Sequence, residues 1–260
     1  MAAGTTGRED PVRQYPVGNV GWYRAVRAVI ATLVRLLTRF EVHGQEYIPN
    51  QGPCLFVTNH LHLLDSPIIM TAIPYRVYVF AGEKWENHLL FGPLMRSLDA
   101  IFVERGEVDR NALRKALAVL AGNGFLGVAP EGTRSRTGAL QQGHRGPSYI
   151  ALRTGVTLVP LAATGGPEVF SELRRLRRAR VRVVFGQPFR PPALASGQRP
   201  SVQQQHELTD EIMYRIAALL PAEYRGVYGD LPEKRPDLLV PGSGGPEFLS
   251  TRGDHESTQG

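Results

Sequence analysis

Six short runs of β-branched and apolar residues, most of them separated by helical patterns, constrain the fold of this chain more than any other feature. The runs are CLFVT (54–58), VYVFA (77–81), AIFV (100–103), FLGVA (125–129), VTLVPL (156–161) and VRVVF (181–185). Clear helical stretches are 109–122, with Asp109 as N-cap, and 201–220, with Ser201 as N-cap. Strands that alternate with helices are typical of α/β domains. We therefore expect one α/β domain with a central, largely parallel or mixed sheet flanked by helices.

Both ends of the chain differ in composition from this middle part. The first 18 residues are polar, contain Pro11 and Pro16, and lack the pattern of a signal peptide, so we expect a disordered N-terminus at 1–18. Residues 229–260 are rich in Pro, Gly and Ser without periodicity, which predicts a disordered tail. The folded domain is expected at 41–228, and 42% apolar residues in a chain of 260 suffice for its core.

Residues 19–40 predict an amphipathic helix. At 3.6 residues per turn, one face carries Trp22, Val26, Val29, Ile30, Leu33 and Leu37, and the opposite face carries Arg24, Arg27, Arg35 and Arg39. The longest charge-free stretch, 28–34, is far shorter than the roughly 20 residues that a membrane-spanning helix needs. Such a helix can lie in the headgroup plane of an anionic membrane, although a helix docked on the domain core would show the same pattern.

The net charge of +6 and a pI near 9.7 favour an anionic partner, which could be nucleic acid, a phospholipid surface or a phosphorylated small molecule. Nucleic acid is not expected, because the basic residues are not interleaved with aromatic residues or set in a known reader motif. The single cysteine, Cys54, excludes an internal disulfide and indicates a reducing compartment. Metal is not expected either, since neither H-E-x-x-H nor a Cys/His cluster occurs.

Polar residues follow directly on the strand CLFVT, in the segment VTNHLHLLDSP (57–67). Asn59, His60 and Asp65 are thereby placed at the carboxyl end of a strand, where open α/β sheets bind ligands. Ser66 before Pro67 predicts an N-cap, so a turn precedes the helix and lets His60 meet Asp65. A carboxylate that accepts the imidazole N–H would support a general base. On its own this spacing is weak, because a structural histidine beside a capping aspartate would look the same.

Two further strands end in residues that suit an anionic group. APEGTRSRTG (129–138) joins a tight Pro-Glu-Gly turn to Thr133, Arg134 and Arg136, and AIFVERG (100–106) ends near Arg105. Turn N–H groups and guanidinium groups together suit a phosphate monoester, although a loop with solvated arginines is the ordinary alternative. Three strands ending in this way predict one shared crevice. His62 has no acid at the spacing of His60 and Asp65, so we expect it to line the site rather than act as base.

The segments NHLHLLD, IFVERG, PEGTRSRTG and LVPLA resemble, in order and spacing, the four motifs of the lysophospholipid (glycerolipid) acyltransferases, which include the bacterial 1-acyl-sn-glycerol-3-phosphate acyltransferase type. The resemblance covers about residues 42–228 and implies an acyltransferase domain. It implies His60 as general base, oriented by Asp65. The acceptor's phosphate site that it implies consists of Lys84, Arg105, Glu131, Gly132, Thr133 and Arg134.

By the same resemblance, the expected reaction moves an acyl group from acyl-CoA or acyl carrier protein to 1-acyl-sn-glycerol-3-phosphate and makes phosphatidic acid. No cofactor is expected, and the protein would act at the cytoplasmic face of a membrane, peripheral or monotopic, on an anionic surface. The chemistry fits the residues, because a carboxylate-oriented histidine can deprotonate an alcohol directly. A G-x-S-x-G elbow is lacking and Cys54 lies inside a strand, so no nucleophile for a covalent route is evident.

Three questions stay open at this point. His62 stands where the family often has a small or polar residue, so the acceptor could be another lysophospholipid or glycerol-3-phosphate. A non-catalytic phospholipid-binding module would keep the same fold. The arginine-rich stretch ELRRLRRARVR (172–182) could contact anionic lipid, the phosphates of a coenzyme A donor, or solvent alone.

Overall fold

The computed structural model describes residues 19–89, 91–104, 109–194 and 198–234. Within these residues the strands are β1 (Thr38–His43), β2 (Cys54–Thr58), β3 (Val77–Gly82), β4 (Ile101–Val103), β5 (Phe125–Val128), β6 (Thr157–Thr164) and β7 (Ala179–Phe185). The helices are α1 (Val20–Leu37), α2 (Asp65–Ala72), α3 (Phe91–Ser97), α4 (Arg110–Ala121), α5 (Gly146–Thr154), α6 (Val169–Arg174), α7 (Val202–Ala218) and α8 (Leu231–Lys234). The disorder predicted for 1–18 and for most of the tail falls outside the described residues, as does Arg105.

All seven strands form one sheet in the order β1-β7-β6-β2-β5-β3-β4. The five strands β2 to β6 run parallel to one another, whereas β7 is antiparallel to β6 and pairs in parallel with β1. The predicted α/β fold with a largely parallel, mixed sheet is confirmed. We call the side of the sheet where β2 to β6 end its carboxyl edge. Because β7 and β1 run the other way, their first residues, Ala179 and Thr38, lie at this same edge.

Both faces of the sheet are buried. On central strand β2, Leu55 and Val57 join one apolar cluster with α4, α5 and α7, whereas Cys54 and Phe56 join a second cluster with α2 and α6. A strand that packs helices on both faces reads as a continuous apolar run, which explains why CLFVT shows no polar alternation. The central strands therefore present polar groups to solvent only where they end.

Two of the three predicted helix caps are confirmed. The Asp109 carboxylate accepts the N–H groups of Asn111 and Ala112, and Ser201 forms a capping box with Gln204. The predicted cap at Ser66 is wrong, because α2 already begins at Asp65. The preceding turn, in which Asp65 N–H donates to His62 O at 3.2 Å, starts the helix one residue earlier. The predicted separation of His60 from the helix nevertheless holds.

The N-terminal helix is shorter than the predicted span of 19–40, since Thr38 leaves it and begins β1. Its buried face differs from the predicted one. Tyr23 and Ala31 are buried, and Arg27 Nε donates to the carbonyl oxygens of Met70 (3.1 Å) and Ile73 (2.9 Å) at the end of α2. Arg27 thus docks the helix on the core instead of facing solvent. None of the described helices is both long enough and apolar enough to span a membrane.

Helix α8 lies after residue 229, where the disordered tail was predicted to begin, and its Leu231 is fully buried. Leu231 anchors this segment, although the Pro, Gly and charged residues around it predicted disorder.

Candidate active site

His60 and Asp65 meet at the carboxyl edge. His60 follows β2 and Asp65 begins α2, and the distance from His60 Nδ1 to Asp65 Oδ2 is 3.4 Å. The carboxylate is buried at 2% exposure, and the same Oδ2 accepts the His62 N–H at 2.6 Å. The His60 side chain is 23% exposed, so its ring borders solvent. The structure therefore brings the predicted pair together, while their catalytic roles stay a prediction.

The main chain of His60 is held on both sides by the loop that follows β5. Its N–H donates to Glu131 Oε1 at 2.8 Å, and its carbonyl oxygen accepts the Ser135 N–H at 2.8 Å. The second carboxylate oxygen, Glu131 Oε2, accepts the Gln141 N–H at 2.9 Å. The loop after β5 thus fixes the main chain of His60 through one side-chain and one main-chain hydrogen bond.

Glu131 has a different environment from the one implied by the family resemblance. Burial raises the pKa of its carboxyl group, while hydrogen bonds from the N–H groups of Gln141 and His60 act in the opposite direction. Both oxygens face main-chain donors inside the protein, and a carboxylate would repel a phosphate. The observed contacts of Glu131 support His60, and its assignment to the phosphate site stays a prediction.

Gly132 lets the same loop reverse direction. Its φ is +64°, its N–H donates to Ala129 O at 3.0 Å, and an added Cβ would lie 3.0 Å from His144 Cδ2. Thr133 and Arg134 follow it and are half-buried. The turn therefore carries both residues to the carboxyl edge, where the sequence placed them.

Lys84 lies at the same edge, two strands from β2. It belongs to a short 3₁₀ turn, Glu83–Trp85, directly after β3, and it is exposed. Its Nζ lies 5.5 Å from the centre of the Trp85 ring, a cation–π contact that limits where the ammonium can go. Arg105, predicted to follow β4, is outside the described residues. The described residues include no cluster of three or more His, Cys, Asp or Glu that could bind a metal.

Asn59 was expected to face the crevice, and this expectation is wrong. Its side chain is buried, with Nδ2 donating to Ala163 O and Oδ1 accepting the Ala163 N–H, both at 2.8 Å. The amide thus clamps the end of β2 to β6. The residue type alone could have predicted such a contact, because the side-chain amide of a buried Asn needs both a donor and an acceptor partner.

Gly166 and Phe170 border the site from the segment after β6, and sequence reasoning missed both. A Cβ on Gly166 would lie 3.1 Å from Asp65 Oδ1 and 3.3 Å from His62 Cβ, so glycine permits the close approach. The His62 ring meets Phe170 edge-on at 6.3 Å, and its Nδ1 accepts the Leu64 N–H at 3.3 Å. With one ring nitrogen occupied by the backbone, His62 borders the pair without taking the place of His60.

These positions coincide with a known domain. A family model described as Acyltransferase matches residues 39–164, which contain β2 to β6, all of β1 but its first residue, His60, Asp65 and the loop 129–138. Residues 39–164 of this chain are similar to that acyltransferase family.

Curated relatives carry related names. The 1-acyl-sn-glycerol-3-phosphate acyltransferase of Cocos nucifera is 30% identical over 132 residues, covering 48% of this chain and 41% of the relative. The alpha form of Mus musculus is 27% identical over 177 residues, covering 62% and 57%. The Borreliella burgdorferi enzyme is 26% identical over 122 residues, covering 46% and 49%. The chain thus matches between two fifths and three fifths of these relatives' length.

A solved structure shows the same fold. The crystal structure of the 1-acyl-sn-glycerophosphate (LPA) acyltransferase PlsC from Thermotoga maritima superposes with a TM-score of 0.55 at 22% identity, and the match covers 82% of each chain. At 82% of this chain, the similarity in fold extends beyond residues 39–164.

Proposed function

We propose that this protein is an acyltransferase that transfers a fatty acyl group from an acyl thioester, acyl-CoA or acyl carrier protein, to the free hydroxyl of 1-acyl-sn-glycerol-3-phosphate, forming phosphatidic acid. The observation that carries the proposal is His60, held through its main chain by Glu131 and Ser135 and facing the buried Asp65 carboxylate. The names of the relatives supply the acceptor, and no resident cofactor is required.

In this reaction His60 is the general base and Asp65 holds its ring. With Nδ1 toward Asp65, Nε2 takes the proton of the acceptor hydroxyl as that oxygen attacks the thioester carbonyl carbon. The new C–O bond forms, the C–S bond breaks, and His60 passes the proton to the leaving thiolate. The Asp65 carboxylate stabilises the imidazolium that exists between these two proton transfers.

The acceptor's phosphate is assigned to the basic groups at the carboxyl edge. Arg134 can pair two N–H groups with phosphate oxygens, and Lys84 adds a point charge from β3. Gly132 and Thr133 belong to the turn that carries Arg134. Arg105 keeps the phosphate assignment that the family resemblance implies. The Glu131 carboxylate, turned inward, does not oppose this positive site.

We place the protein at the cytoplasmic face of an anionic membrane, bound peripherally or monotopically. An apolar stripe on α1 supports this, because Val29, Leu33 and Leu36 are 60%, 49% and 67% exposed. Exposed apolar side chains in a row on an amphipathic helix suit burial among lipid headgroups. One substrate and the product are lipids, so such binding would keep the enzyme beside both.

The test is thiol release by the purified full chain in detergent. Acyl-CoA and acyl carrier protein are supplied in turn as donors, with 1-acyl-sn-glycerol-3-phosphate, a lysophospholipid lacking a phosphate monoester, or glycerol-3-phosphate as acceptor. We expect acceptor-dependent release with the first acceptor. His60→Ala should lower the rate by about 10²- to 10⁴-fold, whereas His62→Ala, the matched control, should retain most of it.

Each other result has a definite meaning. Wild-type turnover in His60→Ala, with the fold intact by circular dichroism, removes His60 as base. Faster release with another acceptor changes the substrate and not the mechanism. No release with any donor and acceptor leaves a phospholipid-binding module.

A further inference from the structure

A short basic loop, residues 174–178 (RRLRR), connects α6 to β7. At its centre Leu176 is 97% exposed and has a φ of +55°, a conformation that is uncommon for a branched side chain. An apolar side chain held fully in solvent between four arginines gains nothing from the fold of the isolated chain. The loop therefore exposes an apolar side chain at its tip, flanked by two arginines on each side.

Part of this charge is used within the protein and part is not. Arg175 pairs with Glu172 at 3.1 Å, and Arg178 donates to the carbonyl oxygens of Arg35 and Thr38 at the end of α1. Arg174, Arg177 and the nearby Arg39 are exposed, and none of the three forms an ion pair with any described residue. Three positive charges thus remain uncompensated around Leu176.

The basic loop stands beside the candidate active site. It leads directly into Ala179, the first residue of β7, which lies at the carboxyl edge, and Arg39 is the second residue of the neighbouring strand β1. The loop is also joined to the site through α6, because Phe170 on that helix contacts the His62 ring and is itself 53% exposed. Arg39, Leu176, Arg177 and Arg178 line one open cavity of about 520 Å³ with Glu172.

We propose that Phe170, the basic loop and Arg39 form a lipid-contact surface that seats the carboxyl edge on an anionic phospholipid bilayer. Leu176 and Phe170 enter the apolar layer, while Arg39, Arg174 and Arg177 contact lipid phosphates. The inference rests on the proposed function, since it names the surface from which the site would take its lipid substrate. A bilayer fits better than a coenzyme A phosphate, because only the bilayer accounts for an exposed leucine at the tip.

Vesicle flotation of the full chain tests the charged part of this surface. Vesicles of phosphatidylcholine alone are compared with vesicles that also contain phosphatidylglycerol. Arg174→Gln/Arg177→Gln should bind the anionic vesicles roughly 30-fold more weakly, at about fivefold per arginine. Arg153→Gln/Arg199→Gln removes the same charge from exposed positions away from the loop and should bind like the wild type. Wild-type binding by both double variants, or the same loss of binding in both, overturns the proposal.

A fluorescent probe tests the apolar tip directly. Leu176→Cys is labelled with a polarity-sensitive dye and compared with labelled Arg153→Cys. The native Cys54 should not react, because it is fully buried and burial raises the pKa of its thiol to about 12. We expect anionic vesicles to shift the emission of the label at 176 to shorter wavelength and to leave the label at 153 unchanged. No shift at 176 overturns the insertion of this loop.

Thiol release in detergent separates this inference from the proposed function. Arg174→Gln/Arg177→Gln should keep wild-type turnover of a dispersed short-chain acceptor, because the variant changes only contact with a bilayer. If instead its KM for acyl-CoA rises while vesicle binding is unchanged, the arginines serve the donor and the bilayer assignment is wrong. If the wild type shows no turnover at all, the proposed function fails while the vesicle results still decide the lipid-contact surface.

Discussion

Two buried side chains, Asn59 and Glu131, direct their polar atoms to the main chain around His60. Asn59 bonds both polar groups of Ala163, and Glu131 bonds the N–H groups of His60 and Gln141. Neither side chain has an oxygen directed at the solvent-facing crevice. Their effect on catalysis would therefore pass through the position of His60, which must be held to within a fraction of an ångström for proton transfer.

Glu131→Gln should separate support of His60 from phosphate binding. A glutamine keeps the size but turns an NH₂ donor toward one of two buried N–H groups, at a cost of about 1 to 3 kcal/mol. We expect thiol-release kcat to fall roughly tenfold or more, by the conversion of about 1.4 kcal/mol per factor of ten, with little change in acceptor KM. Glu223→Gln, at an exposed position, serves as control. A rise in acceptor KM alone would instead return Glu131 to the phosphate site.

Arg134→Ala should show the opposite kinetic pattern. Losing one charge-assisted contact to phosphate costs about 1.5 to 3 kcal/mol, roughly ten- to a hundredfold in the KM of a phosphorylated acceptor. The KM of the acyl donor should stay near the wild-type value, and Arg153→Ala should change neither constant. Initial rates with each substrate varied in turn decide between the assignments. If only the donor KM rises, Arg134 serves the thioester.

At this scale the sequence predicts contacts between near neighbours better than contacts between distant residues. His60 and Asp65 are five residues apart, so a turn inferred from local chemistry was enough to bring them together. Asn59 and Ala163 are separated by 104 residues, and Glu131 is 71 residues from His60. Which main-chain group a buried amide or carboxylate meets depends on strand order, and a single sequence does not specify that order.

The segment 222–228, near the end of the described chain, braces residues 140–143, which follow the loop 129–138. Leu140 N–H donates to Tyr224 O at 2.9 Å, Val227 N–H donates to Leu140 O at 3.3 Å, and Gly143 N–H donates to the Tyr228 hydroxyl at 3.2 Å. Gly226 has a φ of +52°, and a Cβ there would overlap the Leu140 carbonyl. Since Gln141, within residues 140–143, bonds Glu131, the brace extends to His60.

Tyr228→Phe should therefore destabilise the protein. The substitution leaves the half-buried Gly143 N–H without its acceptor, which costs about 1 to 3 kcal/mol in the free energy of unfolding. Urea denaturation followed by circular dichroism measures this loss. Tyr149→Phe, at a half-buried tyrosine, should change stability by less than half as much. Equal midpoints for Tyr228→Phe and the wild type would show that the brace adds no stability.

For whole elements, burial decided which predictions succeeded. The six predicted strands occur with small shifts at their ends, because each forms an apolar run between helices. Strand β1 was missed, since Phe40 and Val42 alternate over only six residues directly behind a helix pattern. The exposed stripe on α1 could be predicted as apolar, but not which part of the helix docks, because Arg27 finds its carbonyl partners 43 to 46 residues away.

On the scale of the whole molecule, exposed apolar and basic groups converge toward the carboxyl edge. Helix α1 starts near the beginning of β3, where the Tyr23 hydroxyl accepts the N–H of Val77, and it ends directly before Thr38 at the carboxyl edge. Its exposed Leu33 and Leu36 lie toward the end that Arg178 of the basic loop contacts. The net charge of +6 thus has a local consequence, because Arg39, Arg174 and Arg177, which form no ion pair with any described residue, stand at the edge where the proposed function has its lipid substrate enter.

Removing α1 would not test its membrane role cleanly, because Tyr23, Arg27 and Ala31 are part of the core contacts. Val29→Ser/Leu33→Ser/Leu36→Ser changes only exposed side chains and should leave the melting temperature near that of the wild type. Flotation on anionic vesicles should weaken roughly a hundredfold, about 3 kcal/mol, if half of the removed apolar surface enters the bilayer. High salt should weaken wild-type binding without abolishing it, because salt screens the arginines beyond about 10 Å at 0.1 M but not apolar burial. Wild-type flotation by the triple variant would mean that the stripe does not contact the membrane and would leave attachment to the basic loop.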